Sequence, residues 1–145
     1  MSASLREQIL ARVAAVLAAA GTPAGANVFR AREVGITRGV SPAITVLYGG
    51  GRATTRAGMS VDKHEITIKV VIFVRGDPWD TLADAVDVPA HQALLADATL
   101  KGMGVELLRE ADVVESQEAD RTAGALEVSY LAKFMTRSTD IALPA

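Results

Sequence analysis

The chain has 145 residues, no cysteine and a formal net charge of −2. A chain of this length is most simply one domain, able to bury about two-thirds of its unfolded surface. The lack of cysteine excludes disulfides and thiolate chemistry, and the slight acidity excludes a strongly basic nucleic-acid binder. The sequence has neither a signal peptide nor an apolar run of about 18 residues, which predicts a cytosolic product with no membrane span.

The N-terminal segment predicts an amphipathic helix. Ser4 and Glu7 have the spacing of a capping box, in which both side chains satisfy free backbone N–H groups. Apolar residues then recur at helical spacing up to Ala20. The sequence Gly21-Thr22-Pro23 ends the pattern after about four turns.

Two strands and a loop are predicted next. Val28 and Phe29 favour a short strand, and an irregular arginine-rich stretch follows at 30–39. Residues 43–48 are apolar on both faces and favour an interior strand. Residues 49–60 begin with three glycines and form a long polar connection, which predicts a flexible hairpin loop.

Residues 61–75 predict the central strand of the fold. Their even-numbered positions are all β-branched at Ile66, Ile68, Val70, Ile72 and Val74, which predicts one face buried along its length. The other face begins polar and turns apolar at Val71 and Phe73, as expected where only the second half is covered. We therefore predict an interior strand that pairs with 43–48 or with 124–137.

A second helix is predicted directly after this strand. Asp77 is a favourable N-cap, with Pro78 at the first helical position. The helical pattern continues to Ala98. Pro89 removes a backbone donor within it, which predicts a kink or a break into two helices near Asp87.

Two closing strands complete the predicted fold. Apolar and charged residues alternate over 103–113, which predicts a strand with one solvent-facing side, and residues 116–122 predict an acidic loop. Residues 124–137 predict the last strand and residues 138–145 a loose tail. The chain is therefore predicted to be a single α+β domain over 1–145, whose mainly antiparallel sheet of four or five strands has helices packed on one face. The residues of the last strand predicted to face inward are Leu126, Val128, Tyr130, Ala132 and Phe134.

The chemical motifs do not favour catalysis. The glycines at 49–51 precede neither a Lys-Ser/Thr pair nor a helix, so they do not form a phosphate loop. His64 has only Asp62 and Ile66 near it in phase, which favours a structural or interface role, and His91 has no His, Asp or Glu three or four positions later. We predict no catalytic, cofactor-binding or metal-binding residues. The alternative is a small ligand-binding or enzymatic α+β domain with a pocket near His64.

Charge is unevenly distributed along the chain. Residues 22–60 hold five arginines and one acidic residue, whereas residues 77–120 hold eleven acidic and two basic residues. These charges are either solvated surface or contacts to a neighbouring copy, and the absence of interleaved aromatics makes a phosphate partner the weaker alternative. On the 49–60 loop we expect protein rather than DNA to be the partner on assembly. The candidate subunit or tube interface residues are Arg30, Arg32, Arg38, Arg52, Arg56, Asp112, Glu115, Glu118 and Asp120.

The order of helix, strands, long loop, central strand, helix and two closing strands resembles bacteriophage tail terminator proteins of the minor tail protein U type. The resemblance is most specific from His91-Gln92-Ala93-Leu94-Leu95-Ala96-Asp97 through Leu100-Lys101-Gly102 into a strand. It continues through the acidic stretch at 112–120 to GALEVSYLAKFMTR at 124–137, which is similar to the family's closing strand.

The resemblance implies a non-enzymatic virion protein without cofactors. Members of that family form a hexameric ring on the finished tail tube, stop further tube polymerisation and offer a surface to the head–tail connector. The implied partners are other copies of the chain, the tail tube protein and the connector protein, with DNA only in transit and no membrane. The implied location is the virion tail, assembled in the bacterial host cytoplasm. The separated basic and acidic segments could supply the two complementary patches that a ring requires.

Overall fold

The structure is a computed structural model, and it describes residues 3–30, 42–55, 60–116 and 123–145. The elements in these residues are α1 (Leu5–Ala19), β1 (Val28–Arg30), β2 (Ala43–Thr55), β3 (Val61–Arg75), α2 (Trp79–Ala96), α3 (Ala98–Gly102), β4 (Glu106–Ser116), β5 (Ala123–Arg137) and β6 (Asp140–Pro144). The six strands form one sheet of order β1-β2-β3-β5-β4, with β6 also paired to β5. β1 and β2 are parallel, and the other pairs are antiparallel. The predicted α+β fold is thereby confirmed, with one strand more than expected.

The central strand lies where the sequence predicts it. β3 pairs with β2 on one side and with β5 on the other, and its register with β5 is unbroken from Val61↔Arg137 to Arg75↔Ala123. β4 and β6 both lie on the side of β5 that faces away from β3. The pairing of β4 begins opposite Lys133, and β6 pairs with Thr136 and Arg137. Both strand predictions for 61–75 and 124–137 are therefore confirmed.

The core lies between the sheet and the helices. Because side chains alternate along a strand, the even-numbered residues of β3 and β5 share one face, and α1 and α2 pack on it. Complete burial of one valine, leucine or isoleucine side chain contributes about 1.5–3 kcal/mol to the free energy of folding. The core includes Leu5, Ile9, Val13 and Leu17 of α1, Val86, Ala90 and Leu94 of α2, Ile66, Ile68, Val70 and Ile72 of β3, and Val128, Tyr130, Ala132 and Phe134 of β5.

The capping prediction for α1 is confirmed in its first half. The Ser4 hydroxyl accepts a hydrogen bond from the Glu7 backbone N–H at 3.2 Å, which satisfies one free donor of the first turn. The Glu7 carboxylate instead accepts two bonds from the Arg30 guanidinium, at 3.0 and 3.2 Å. Glu7 thereby links the start of α1 to β1 at the edge of the sheet.

The predictions for the second helix are partly wrong. Its N-cap is Pro78, without a side-chain cap bond, in place of Asp77. Pro89 lies inside one continuous helix that reaches Ala96, so no break occurs near Asp87. The break comes at Asp97, whose extended backbone ends α2 and whose carboxylate accepts the Leu100 N–H at 2.9 Å to cap α3.

The predicted loop at 49–60 is a strand over its first half, because β2 continues to Thr55. The glycines form an irregularity between Tyr48 and Gly51, where the register with β3 shifts and Gly50 has a φ of +93°. A Cβ on Gly51 would lie 2.6 Å from the Glu65 carbonyl oxygen, so the close pairing of β2 and β3 requires glycine there. Residues 56–59 lie outside the described residues.

Two further predictions differ from the structure at the C-terminal side. Residues 140–144 of the predicted loose tail form β6, and Gln8 of α1 donates to the Ala142 carbonyl at 3.1 Å. In β4, a register shift between Arg109 and Ala111 moves Ala111 and Val113 to the face opposite the core, where Val113 is 49% exposed. The predicted alternation holds only before this bulge. The predicted acidic loop falls mainly on 117–122, outside the described residues.

Candidate assembly surface

The sheet has a second face, opposite the helices, which we call the open face. It carries the odd-numbered residues of β3 and β5 and the residues that pair with them. At one end this face is buried around Ala43, Thr45 and Val71. The Thr45 hydroxyl is the one buried side-chain polar atom in the described part of the chain that has no hydrogen bond. Towards the other end it is polar. This agrees with the prediction that β3 is covered on its second side only over its later half.

Four charged residues of alternating sign cross the polar half of the open face. The register places Arg52 of β2 opposite Glu65 of β3, Glu65 opposite Lys133 of β5, and Lys133 opposite Glu106 of β4. We call these four residues the charge row. It begins with an arginine on one outer strand and ends with a glutamate on the other.

Arg52 and Glu65 form the closest contact of the charge row. The Arg52 Nη2 and Nε atoms donate to Glu65 Oε2 at 3.0 and 3.2 Å. These hydrogen bonds lower the pKa of Glu65, and the nearby charges of Lys133 and Lys63 act in the same direction. The Arg52 side chain nevertheless remains 79% exposed, so it can contact a second carboxylate at the same time.

The two outer edges of the sheet differ in charge. β1 pairs with β2 only at Ile44–Val46, so the rest of β2 has no neighbour on its outer side within the described chain. β4 has β5 as its only described partner, and its acidic residues Glu106, Glu110 and Asp112 are exposed together with the apolar Leu108, Val113 and Val114. Arg52, which is the one charged residue described on the free part of β2, and the acidic residues of β4 therefore lie at opposite edges of one sheet.

Of the sequence-predicted interface residues, Arg52 lies on the β2 edge, Asp112 and Glu115 lie on the β4 edge, and Arg30 lies on β1. Arg30 binds Glu7 and Arg52 binds Glu65, both at 3.0 Å, while Asp112 lies 3.5 Å from Arg109. Glu115 lies on β4, opposite Ala125. Arg32, Arg38, Arg56, Glu118 and Asp120 lie outside the described residues.

A polar network that the sequence does not reveal joins α2 to the sheet. Arg109 of β4 donates two hydrogen bonds to Asp87 of α2, and these bonds raise the pKa of the guanidinium. Burial raises the pKa of the neighbouring Tyr130 phenol to about 12. The Tyr130 hydroxyl lies 3.0 Å from His91 Nδ1. An aspartate and an arginine 22 residues apart give no sequence signal of such a pair.

A cavity lies beside His64, where the alternative interpretation of the sequence expects a pocket. His64 Nε2 lies 2.8 Å from the Thr136 hydroxyl, and its ring stacks on Phe134 with centroids 4.9 Å apart. The adjoining cavity has a volume of about 230 Å³, and Arg6 and Tyr48 also line it. Its described lining contains no aspartate or glutamate that could orient the imidazole as a base.

The described residues contain neither a cluster typical of a metal site nor a helix that could span a membrane. In the described residues, no group of three or more His, Asp or Glu side chains has the arrangement of a metal site. None of the described helices is long and apolar enough to cross a membrane.

Comparison with known proteins identifies a shared fold. No protein-family model and no curated protein matches the sequence. A chain in the virion of a native gene transfer agent (GTA) particle has a similar structure, with a TM-score of 0.53 over 90% of this chain and 93% of that chain. The two sequences are 15% identical, so the similarity concerns the fold.

Proposed function

We propose that this protein is a structural component of a phage-like virion, and that it caps the tail tube. The observation that carries the proposal is the fold shared with a chain of the GTA virion over nearly the full length of both. In this role the protein ends tube polymerisation and provides the surface that the head–tail connector binds. The resemblance of the sequence to tail terminators supports this more specific role within a virion.

A homomeric ring, most simply a hexamer, is the form in which we propose that the protein acts. Its opposite sheet edges support this proposal, because β2 ends the charge row with Arg52 and β4 ends it with Glu106. A contact between two different patches generates a ring when the rotation closes. The partners in this role are other copies of the chain, the tail tube protein and the connector protein, at the tail of the virion.

The role that we propose is non-enzymatic. His64 contacts the Thr136 hydroxyl and Phe134, and His91 contacts the Tyr130 hydroxyl. Each imidazole thus has a contact that orients it within the fold. Neither is hydrogen-bonded to a described carboxylate, which is the usual arrangement of a catalytic base.

Tail length tests the proposed function. Particles produced without this protein should have overlong tail tubes in electron micrographs, and supplying the protein in trans should restore a uniform length. Tubes of normal length in its absence would contradict the capping role. A supplied variant with Asp84→Arg, on the exposed side of α2, should restore length as wild type does.

A ligand-binding or enzymatic domain is the second candidate, because the cavity beside His64 could admit a small molecule. The test is a His64→Ala variant assayed against a panel of small metabolites by thermal shift and turnover. A ligand or activity that wild type shows and the variant lacks would favour this candidate. Restored tail length with the same variant would favour the structural role.

A further inference from the structure

We infer that the outer edge of β2 in one copy pairs with the outer edge of β4 in the next copy, so that adjacent subunits share one continuous sheet. This inference rests on the proposed function, because it names the contact between the subunits of the ring. The occupant of each edge is a second copy of this chain.

The segments of β2 and β4 that have no described neighbour on their outer side lie at the same height along the strand direction. Following the register across β3 and β5, Tyr48 and Arg52 of β2 lie level with Arg109 and Glu106 of β4, respectively. Within the described chain, neither segment has a strand on its outer side. Unpaired strand edges of this kind present backbone donors and acceptors that another strand can satisfy.

Strand direction also suits a contact between unlike edges. Three antiparallel pairings separate β2 from β4, so the two strands run in opposite directions. When copies stand side by side in the same orientation, β4 of one and β2 of the next are therefore antiparallel. Such a junction has the same pairing type as the interior of the sheet.

Charge decides which edges meet. Within one copy the charge row alternates from Arg52 to Glu106, and a β4–β2 junction continues the alternation because Glu106 then meets the next copy's arginine. Contact between two like edges would instead bring together two arginines or two glutamates, which is unfavourable. Glu106 is exposed and has no ion pair among the described residues. Arg52 uses only Nε and Nη2 towards Glu65.

Protection of the edges is the competing explanation. Charges and bulges on outer strands also prevent unwanted pairing, and β4 has a register shift next to Arg109. In that role only the presence of charge matters, whereas the inferred junction requires opposite signs on the two edges. Reversing each sign separately distinguishes the two explanations.

The experiment uses two single variants, Arg52→Glu and Glu106→Arg. Each places like charges at every junction and should weaken each junction about tenfold, the effect of a 1.4 kcal/mol difference. An equimolar mixture should form rings again, because the two variants can alternate with opposite charges at every junction. The assembled fraction is measured against protein concentration by sedimentation velocity at low and high salt, since screening should reduce the effect.

Two variants serve as matched controls. Arg137→Glu makes the same sign change on the open face but at the far end of the interior strand β5, away from the charge row, and Asp84→Arg reverses an exposed acid on α2. Both should assemble like wild type. Restored rings in the mixture also establish that the single variants are folded.

Three results would overturn the inferred junction. These are single variants that assemble at wild-type concentrations, a mixture that assembles no better than either variant, and wild-type protein that forms no ring. None of them decides the proposed capping function, which depends on tail length in particles lacking the protein. Overlong tubes combined with any of these results would retain the function and reject the edge contact.

Discussion

Arg109 of β4 and Asp87 of α2 form a two-point ion pair, with Nη1–Oδ1 and Nη2–Oδ2 distances of 2.9 and 2.8 Å. Their side chains are 27% and 13% exposed, so water screens the pair only partly. The pair holds the middle of α2 against the outer strand β4. It therefore fixes the position of the strand that we infer to form the junction.

Removal of one partner of this pair should be costly. Arg109→Met leaves the Asp87 carboxylate largely buried without its partner and should lower the free energy of unfolding by about 2–4 kcal/mol, somewhat below the range for fully buried pairs. The double variant Asp87→Leu with Arg109→Met should lose at least about 1 kcal/mol less than the sum of the single variants. Urea unfolding of all four proteins measures this coupling, and additive losses would contradict it.

Tyr130 should make stability fall at alkaline pH. Burial raises the pKa of its phenol to about 12, above the value of about 10 in the unfolded chain. Between these values the folded state binds more protons, so stability decreases as pH rises, by up to about 2–3 kcal/mol for this group alone. Between pH 10 and 12 the free energy of unfolding should therefore decrease less for Tyr130→Phe than for wild type, as measured by denaturant unfolding at each pH. Equal decreases would contradict the assignment.

Asp97 should contribute to stability at neutral pH and lose that contribution in acid. Hydrogen bonds from Arg12, at 2.7 and 3.0 Å, and from the Leu100 N–H lower its pKa below the ordinary value of 3.8. An acid with a lowered pKa stabilises the fold above its unfolded pKa, and this stabilisation disappears as pH falls through the folded value.

The cap and the ion pair of Asp97 can be separated by two variants. Asp97→Ala removes both and should lose about 1 kcal/mol from the cap alone. Asp97→Asn keeps a capping oxygen but removes the charge. Thermal unfolding at pH 7 and pH 3 should show a smaller pH effect for Asp97→Asn than for wild type, and an unchanged pH effect would reject the ion pair's role.

Gly124 should resist even the smallest side chain. A Cβ at this position would overlap the ring of Trp79, so α2 or the end of β5 would have to move. Gly124→Ala should destabilise the protein by about 1–3 kcal/mol, the usual cost of overpacking. Gly102→Ala is the matched control, because its Cβ meets nothing within 4 Å and alanine favours the helix. The measurement is chemical denaturation of both variants, and equal midpoints would contradict the prediction.

The strands that the sequence predicts best are those with a simple alternation. β3 and β5 were predictable because their apolar residues recur at every second position and are buried together. β2 was predictable only as far as Tyr48. Beyond it, glycines that resemble a loop permit a register shift and a close strand contact, which depends on the partner strand and not on local sequence.

The candidate assembly surface was predictable only in its residue types. The sequence separates arginines from acids, and Arg52 and Asp112 do lie on outer strands. Glu65, Lys133 and Glu106 were missed, because their alignment depends on the register of four strands. The partner of Arg52 is likewise set by the register, whereas Arg30 and Arg109 pair with helix residues through the packing of helices on the sheet.

The charge row gives the sheet a direction. With neighbouring strands about 4.8 Å apart, its two successive opposite-charge pairs amount to a dipole moment of roughly 45 D, comparable to about a dozen aligned peptide units. In an open string of copies these moments add, whereas around a closed circle they cancel. At low salt, long-range electrostatics would therefore favour a closed ring of subunits over an open chain of subunits joined by the same contact.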